Sequence, residues 1–419
     1  MGREDKPVAL IPGKPISLTG PDFARRKYEW YRLLQDEAPV CPAKISFMRV
    51  FVLSRYEDCR ALLVDDRFFR NRGRALGRRD SGPLPFPLPG AVAALANSMI
   101  IRDDPEHQRL RRLVNKAFAP HAVEALAERV ESLTAELLDD LEHTFSMGPV
   151  DLLEAYARPI PTRVIGEMLG VSPEEMLVFQ AKVRVLTEGF SGLRILRTLL
   201  WDLRGAANFV RGLIERKRAK PAADLLSRLI EAEDEGERLS EDELVAMVFL
   251  LIVAGFETTL HLIVNGARVL LESPDSRARL TADSSLWPSA VEEIVRYRGP
   301  VHGTKLHYAS ETLQLQGVTI KRGQAVMPLI GAANMDPRAF DSPERFEIER
   351  SPNHHLGFGF GRHFCLGRSL ALMETQIGLR GLFDRFPSIR LAVPPDQLQI
   401  VSLPGWHRHQ SLPVTVEGA

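Results

Sequence analysis

The sequence predicts a mainly α fold with a small β part (α+β), built as one large domain around a long central helix. Three observations predict it. Ser240-Glu241-Asp242-Glu243 forms a capping box, and the apolar helix it opens meets no proline until Pro274. At 1.5 Å per residue that is roughly 50 Å of helix, a rod that only a large core can bury. Strand-type patterning is confined to short stretches, Val40 to Ser54, Thr312 to Ile320 and Ala325 to Leu329. Third, neither an internal repeat nor a Pro/Gly/Ser-rich linker divides the 419 residues, so 1–419 reads as one domain with 1–20 as an N-terminal extension.

Taken in order, Asp22 to Asp36 carries Phe23, Tyr28, Trp30, Tyr31, Leu33 and Leu34 at helical spacing. Val40 to Ser54 alternates as a hairpin, and Tyr56 to Val64 returns to a short helix. Arg72 to Asn97 contains Pro83, Pro85, Pro87 and Pro89 among apolar residues, which predicts a long loop. Helices are expected over Glu106 to Phe118, Ala122 to Leu141, Val150 to Leu169, Pro173 to Gly189 and Leu199 to Arg218. The run Arg216-Lys217-Arg218-Ala219-Lys220-Pro221 then reads as a solvated connection. After the central helix come a helix from Pro288 to Tyr297, the β segments and an irregular meander from Pro337 to Phe346.

Composition narrows the function. With 54 basic and 54 acidic side chains the formal charge is zero, which argues against a nucleic-acid binder recognised by overall charge. Cys41, Cys59 and Cys365 are too few and too scattered for a disulfide framework or a zinc site, and they fit a reducing cytoplasm. The N-terminus resembles neither a signal peptide nor a membrane anchor, and the run Leu244 to Phe256 is too short to span a bilayer.

The thiol at 365 carries the most chemistry. Gly359 and Gly361 allow a tight turn before it, and Arg368 to Glu374 contains good helix formers, placing Cys365 where a helix begins. The dipole there favours thiolate, which suits an axial iron ligand; a buried structural cysteine is the alternative. In the central helix, Ala254-Gly255-Phe256-Glu257-Thr258-Thr259 places an acid and a hydroxyl after an apolar run. Gly255 there leaves room for a flat ligand. Against this stands a paired helix acid and a threonine bonded to the carbonyl four residues earlier. Glu293 and Arg296, and His107 and Arg111, each share a helix face. Gly357-x-Gly359-x-Gly361 lacks nucleotide-loop spacing, and His354-His355 and His407-x-His409 read as surface histidines.

Phe358, Gly361, Cys365 and Gly367 reproduce Phe-x-x-Gly-x-x-x-Cys-x-Gly, the cysteine-loop signature of the cytochrome P-450 family. The resemblance extends from about Val52 to Val414 and includes five motifs in the family's order. It implies the cytochrome P-450 fold, with the long helix over haem b and Cys365 as the metal ligand. It further implies haem contacts from Phe358, Gly359, Gly367, Ala254 and Gly255, and propionate contacts from His107, Arg111 and His363. By the same match Glu257 relays protons, Thr258 hydrogen-bonds dioxygen, and Glu293, Arg296 and Arg345 form a structural network. The family arginine of Arg-x-Ala-x-Glu is replaced in His307-Tyr308-Ala309-Ser310-Glu311, so either His307 or Lys305 takes that propionate. Met335 stands where arginine is common.

The implied activity is monooxygenation of a hydrophobic small molecule, with NAD(P)H electrons delivered by a ferredoxin or flavodoxin and its reductase. Arg112, Lys116, Arg362 and Arg368 form the expected docking patch, and the protein is expected to be a cytoplasmic monomer. The pocket draws on Met99, Val253, Ala254, Phe256, Val301, Gly303 and Trp406, with access loops at 70–100 and 179–200. A peroxide-driven peroxygenase and a non-catalytic haem sensor are the alternatives.

Overall fold

Residues 7–78, 98–117, 126–179, 203–234 and 236–417 are described by the structure, a computed structural model. The access loops expected at 70–100 and 179–200 fall largely outside them.

The capping box forms as its residues dictate. The Ser240 hydroxyl accepts from the Glu243 N–H, and the Glu243 carboxylate accepts from the Ser240 N–H at 2.9 Å. The helix it starts runs Glu241–Leu271, 31 residues. Its first half, Leu244 to Phe256, packs into one apolar cluster with helices Leu203–Ala219 and Leu225–Glu231. Its second half, from Leu260 onward, packs into another with Ala127–Phe145, Pro159–Leu169, Trp287–Arg298 and Arg368–Arg385. Gly266 permits the closest of these contacts: a Cβ there would stand 2.7 Å from Leu379 Cδ1 and 3.3 Å from Ile294. Among the described residues it is the one helix apolar and long enough to cross a membrane, yet 67% of its most apolar window is buried inside the protein.

The largest of the sheets among the described residues is six-stranded and mixed. Its order is Ile16–Ser17, Val40–Ile45, Met48–Leu53, Ala325–Pro328, His307–Ala309, Phe68–Phe69. The expected hairpin pairs Val40 with Leu53, and Val52 lies parallel to Met327. Two expectations are corrected. Residues Ile16–Ser17 pair with Ala43 and Lys44, so the N-terminal extension belongs to the sheet at its end. The stretch read as one helix from Val150 begins as strand Val150–Asp151, paired with Pro413–Thr415, and becomes helical only afterwards.

The buried Glu293–Arg296 pair ties the meander to the helical core. Arg296 donates two 2.7 Å bonds to Glu293, and both side chains are fully buried. The remaining guanidinium N–H groups reach the carbonyls of Asn334, Pro343 and Arg345. Arg345 therefore contributes its backbone while its side chain is exposed. The arginine that closes the network is Arg350, whose Nε donates to Glu293 at 3.1 Å after a turn sealed by Arg350 N–H to Glu347 O.

A second buried network holds the C-terminal segment against the central helix. His355, His407 and His409 are not surface residues. The His355 side chain is buried and lies 2.8 Å from Glu292. His407 stacks on His302 at 4.9 Å, and Tyr31 bonds His302 at 2.9 Å. Asn265 donates to the carbonyls of Arg298 and His407. Arg268 donates to His409 Nε2 at 3.1 Å, which leaves the His409 proton on Nδ1. Burial, with nearby Arg408 for His261 and Arg268 for His409, lowers each of these two histidines to about 3.

Two outcomes follow. Arg350→Ala should lower the unfolding free energy by about 2–3 kcal/mol, by loss of a buried charge-assisted bond. Arg345→Ala should stay within about 0.5 kcal/mol in the same denaturant titration. For pH, an unfolded histidine takes up a proton near pH 6.5, whereas folded His261 does so only at about 3. Stability should therefore fall as pH drops through that window. His261→Gln should flatten the fall by about one proton, roughly 1.4 kcal/mol per pH unit at most.

Candidate active site

The thiol loop hangs between the two apolar clusters. Phe358 and Leu370 pack on the cluster of the second half of the central helix, and Leu366 on that of the first half. Within it the Cys365 N–H donates to Phe358 O at 2.9 Å, closing a turn in which Gly359 and Gly361 have φ of 76° and 71°. Gly361 is further required because a Cβ would meet Val64 at 2.7 Å. A turn over Gly361–His363 precedes the thiol, and the helix starts only at Arg368. Burial raises the Cys365 thiol, opposed by the Gly367 N–H and by the charges of Arg111 and Arg368. Arg111 donates to Phe364 O at 2.9 Å, which fixes that charge beside the sulfur.

The central helix shows a notch where it passes from one cluster to the other. Ala254 is exposed and Val253, Gly255 and Thr258 are half-buried, although Ile252, Phe256 and Thr259 on either side are buried. An exposed alanine midway along a core helix marks a break in the packing around it. Gly255 does not provide it: its missing Cβ would lie 3.3 Å from Ile165, so the glycine serves packing between helices. Phe256 points into the core at 2% exposure and leaves no surface for a substrate. Met99 is buried in the same cluster. Val301, Gly303 and Trp406 are half-buried, and Val301 pairs with Trp406 in a β-bridge.

The Thr258 hydroxyl donates to Ala254 O at 2.7 Å, leaving its lone pairs free to accept. Glu257 does not face solvent. It is buried, with Arg408 at 3.2 Å and His261 at 3.7 Å. Sequence reasoning missed Arg408, which lies 151 positions away inside a polar His-Arg-His run.

The remaining expected residues converge. The rings of His107 and His363 lie 4.1 Å apart, and His107 and His307 are buried. His363 Nε2 has no hydrogen-bond partner among the described residues. Burial, then the charge of Arg70, holds His363 down to about 2. Nothing lies within 4 Å of a Cβ built on Gly367. The open face at Gly367 and Ala254, the thiol and this cluster of donors fit a flat, dicarboxylate iron macrocycle. Among the described residues no group of three or more His, Cys, Asp or Glu could hold a metal ion by itself.

Comparison with known proteins agrees with this geometry. A family model described as cytochrome P-450 matches residues 12–403. The chain is 37% identical over 391 residues to 6-deoxyerythronolide B hydroxylase of Saccharopolyspora erythraea, covering 91% of this chain and 95% of that one. The solved structure of the bacillaene polyketide synthase cytochrome P-450 PksS of Bacillus subtilis superposes with a TM-score of 0.87 at 35% identity, covering 95% and 99%. A myxobacterial cytochrome P-450, CYP267B1, in complex with myristic acid superposes at 0.86 with 32% identity, covering 96% and 99%. With the match running through thiol loop and central helix alike, the chain belongs to the cytochrome P-450 family and is a haem-thiolate monooxygenase.

Proposed function

We propose that this monooxygenase inserts oxygen into a hydrophobic molecule of the polyketide or fatty-acyl kind, bound at the notch around Ala254. The observation that carries the reading is that exposed alanine in an otherwise buried stretch of core helix. Val253 beside it, and Val301 and Trp406 of the expected pocket, are half-buried and apolar, which favours an oily substrate. The names of the similar proteins, one a polyketide-biosynthesis cytochrome P-450 and one in complex with myristic acid, support the same class.

Haem b supplies the oxygen chemistry, with electrons originating in NAD(P)H. Cys365 would hold its iron, and His107, Arg111 and His363 its carboxylates. Thr258 offers its oxygen lone pairs at the notch while its O–H donates to the Ala254 carbonyl. Glu257 is paired with Arg408, so relaying a proton from solvent to Thr258 would require that pair to loosen, with Glu257 taking up the proton before passing it on. Positioning of substrate and proton delivery are the tasks of the protein here.

Electrons arrive from a separate redox protein, for which a ferredoxin is the favoured type. Two of the four cations expected to attract it are already paired, Arg362 with Asp66 and Asp104, and Arg368 with Glu292. The Lys116 side chain lies outside the described residues. Docking is better supported by the exposed Phe364 beside the thiol and by a groove of about 380 Å³ lined by Phe358, Phe364, His355 and Arg368. A monomer in the cytoplasm, consistent with three free cysteines, completes the reading.

The test is to screen polyketide lactones and fatty acids for a low-spin to high-spin shift of the ferric protein, then drive each binder with ferredoxin, reductase and NADPH. Product formation is expected; binders that are never oxidised under those conditions would sink the proposal. In the same assay Thr258→Ala should divert electrons to peroxide, and Glu257→Gln should slow turnover by about 10²-fold. Unchanged coupling in Thr258→Ala would place the relay elsewhere.

A further inference from the structure

Arg70 is a buried cation whose partners do not account for it. It follows strand Phe68–Phe69, which pairs antiparallel with His307–Ala309 so that Phe69 faces Tyr308. Continuing that register by one residue sets Arg70 across from His307. The residue is 8% exposed. Its Nη1 donates to Lys305 O at 2.8 Å, but its Nε has no hydrogen-bond partner among the described residues. The adjacent acid is already engaged: Asp103 accepts from the backbone N–H of Arg70 at 2.7 Å and of Asn71 at 3.0 Å.

Leaving a guanidinium N–H buried and unpaired costs about as much as a lost charge-assisted bond, so a sequence keeps it only where an acceptor arrives. The surroundings say what kind of acceptor. Arg70 lies close enough to His307 and His363 to depress the basicity of both. Lys305, whose carbonyl Arg70 holds, is a second cation beside it, and the pKa of its ammonium is lowered by burial and by the Arg70 charge. His363 Nε2 is also without a partner. The wall thus presents an unpartnered guanidinium N–H beside a second cation, the complement of a carboxylate.

We infer that Arg70 binds a haem carboxylate, and that it is the arginine of this subsite in place of His307, one strand away. His307, buried beside a permanent cation, remains neutral and packs the site. Arg70 is then a cofactor-binding residue that no motif in the chain identifies, with Asp103 fixing the backbone from which it reaches.

The experiment uses the ferric holoenzyme at neutral pH, with haem transfer to excess apomyoglobin as one readout. The haem-propionate bending bands in resonance Raman are the other. Arg70→Gln should release haem about 10- to 100-fold faster, as for loss of one charge-assisted bond, and should shift a propionate band. Arg70→Lys, which keeps the cation but not the fork, should shift the same band with a smaller change in release, and covers the case in which Arg70→Gln yields no holoenzyme. Adding His307→Arg to Arg70→Gln returns a guanidinium to the same wall and should slow release again. Unchanged release in Arg70→Gln overturns the inference. Faster release with unmoved propionate bands in both single variants overturns it too, since Arg70 would then be only structural.

Discussion

One constraint organises the molecule: a helix of 31 residues must lie buried along its length yet remain open at one turn. Burial is achieved by two separate apolar clusters, one on each half of the helix, instead of one continuous core. The junction between them, from Ala254 to Thr259, is where the packing thins. The thiol loop is anchored to both clusters, by Leu366 on one side and by Phe358 and Leu370 on the other, so its sulfur is carried at that junction. Everything reactive in the chain depends on this shared seam.

The polar networks follow from the same constraint. A long helix with an apolar surface can carry charge inward only where a distant segment compensates it. The C-terminal segment supplies Arg408 to Glu257 and the His407 carbonyl to Asn265, and His409 accepts from Arg268. Elsewhere Arg296 and Arg350 both donate to Glu293 while Arg296 pins the carbonyls of the meander that leads into the thiol loop. The two networks differ in consequence. The Glu293 network is closed on itself, whereas the Glu257 pair borders the notch.

Much of this was legible in the sequence because it depends on local rules. The capping box needs four adjacent residues, the thiol loop ten, and the Glu293–Arg296 pair one helical turn. What was not legible depends on chain reversal over long separations. Gly255 looked like space for a ligand, but Ile165 fills it from a helix some 90 positions earlier. Arg345 and Arg350 are five apart in an irregular segment, and only the course of the backbone decides which side chain turns inward. His407 and His409 sit among polar residues near the C-terminus, the usual signature of a surface, and are buried because aromatic and cationic groups from three other segments close over them. Phe256 was placed in the pocket by family position, and the helix face it occupies belongs to the core.

The central claim is that the seam holds haem through the sulfur of Cys365. The most direct measurement is the absorption spectrum of the reduced, CO-bound protein in Cys365→Ser, compared with the unsubstituted chain. The account predicts a thiolate-type band in the unsubstituted protein and its loss in the variant, with any haem that remains bound showing a spectrum of another ligand class. A thiolate-type band that survives in Cys365→Ser would contradict it.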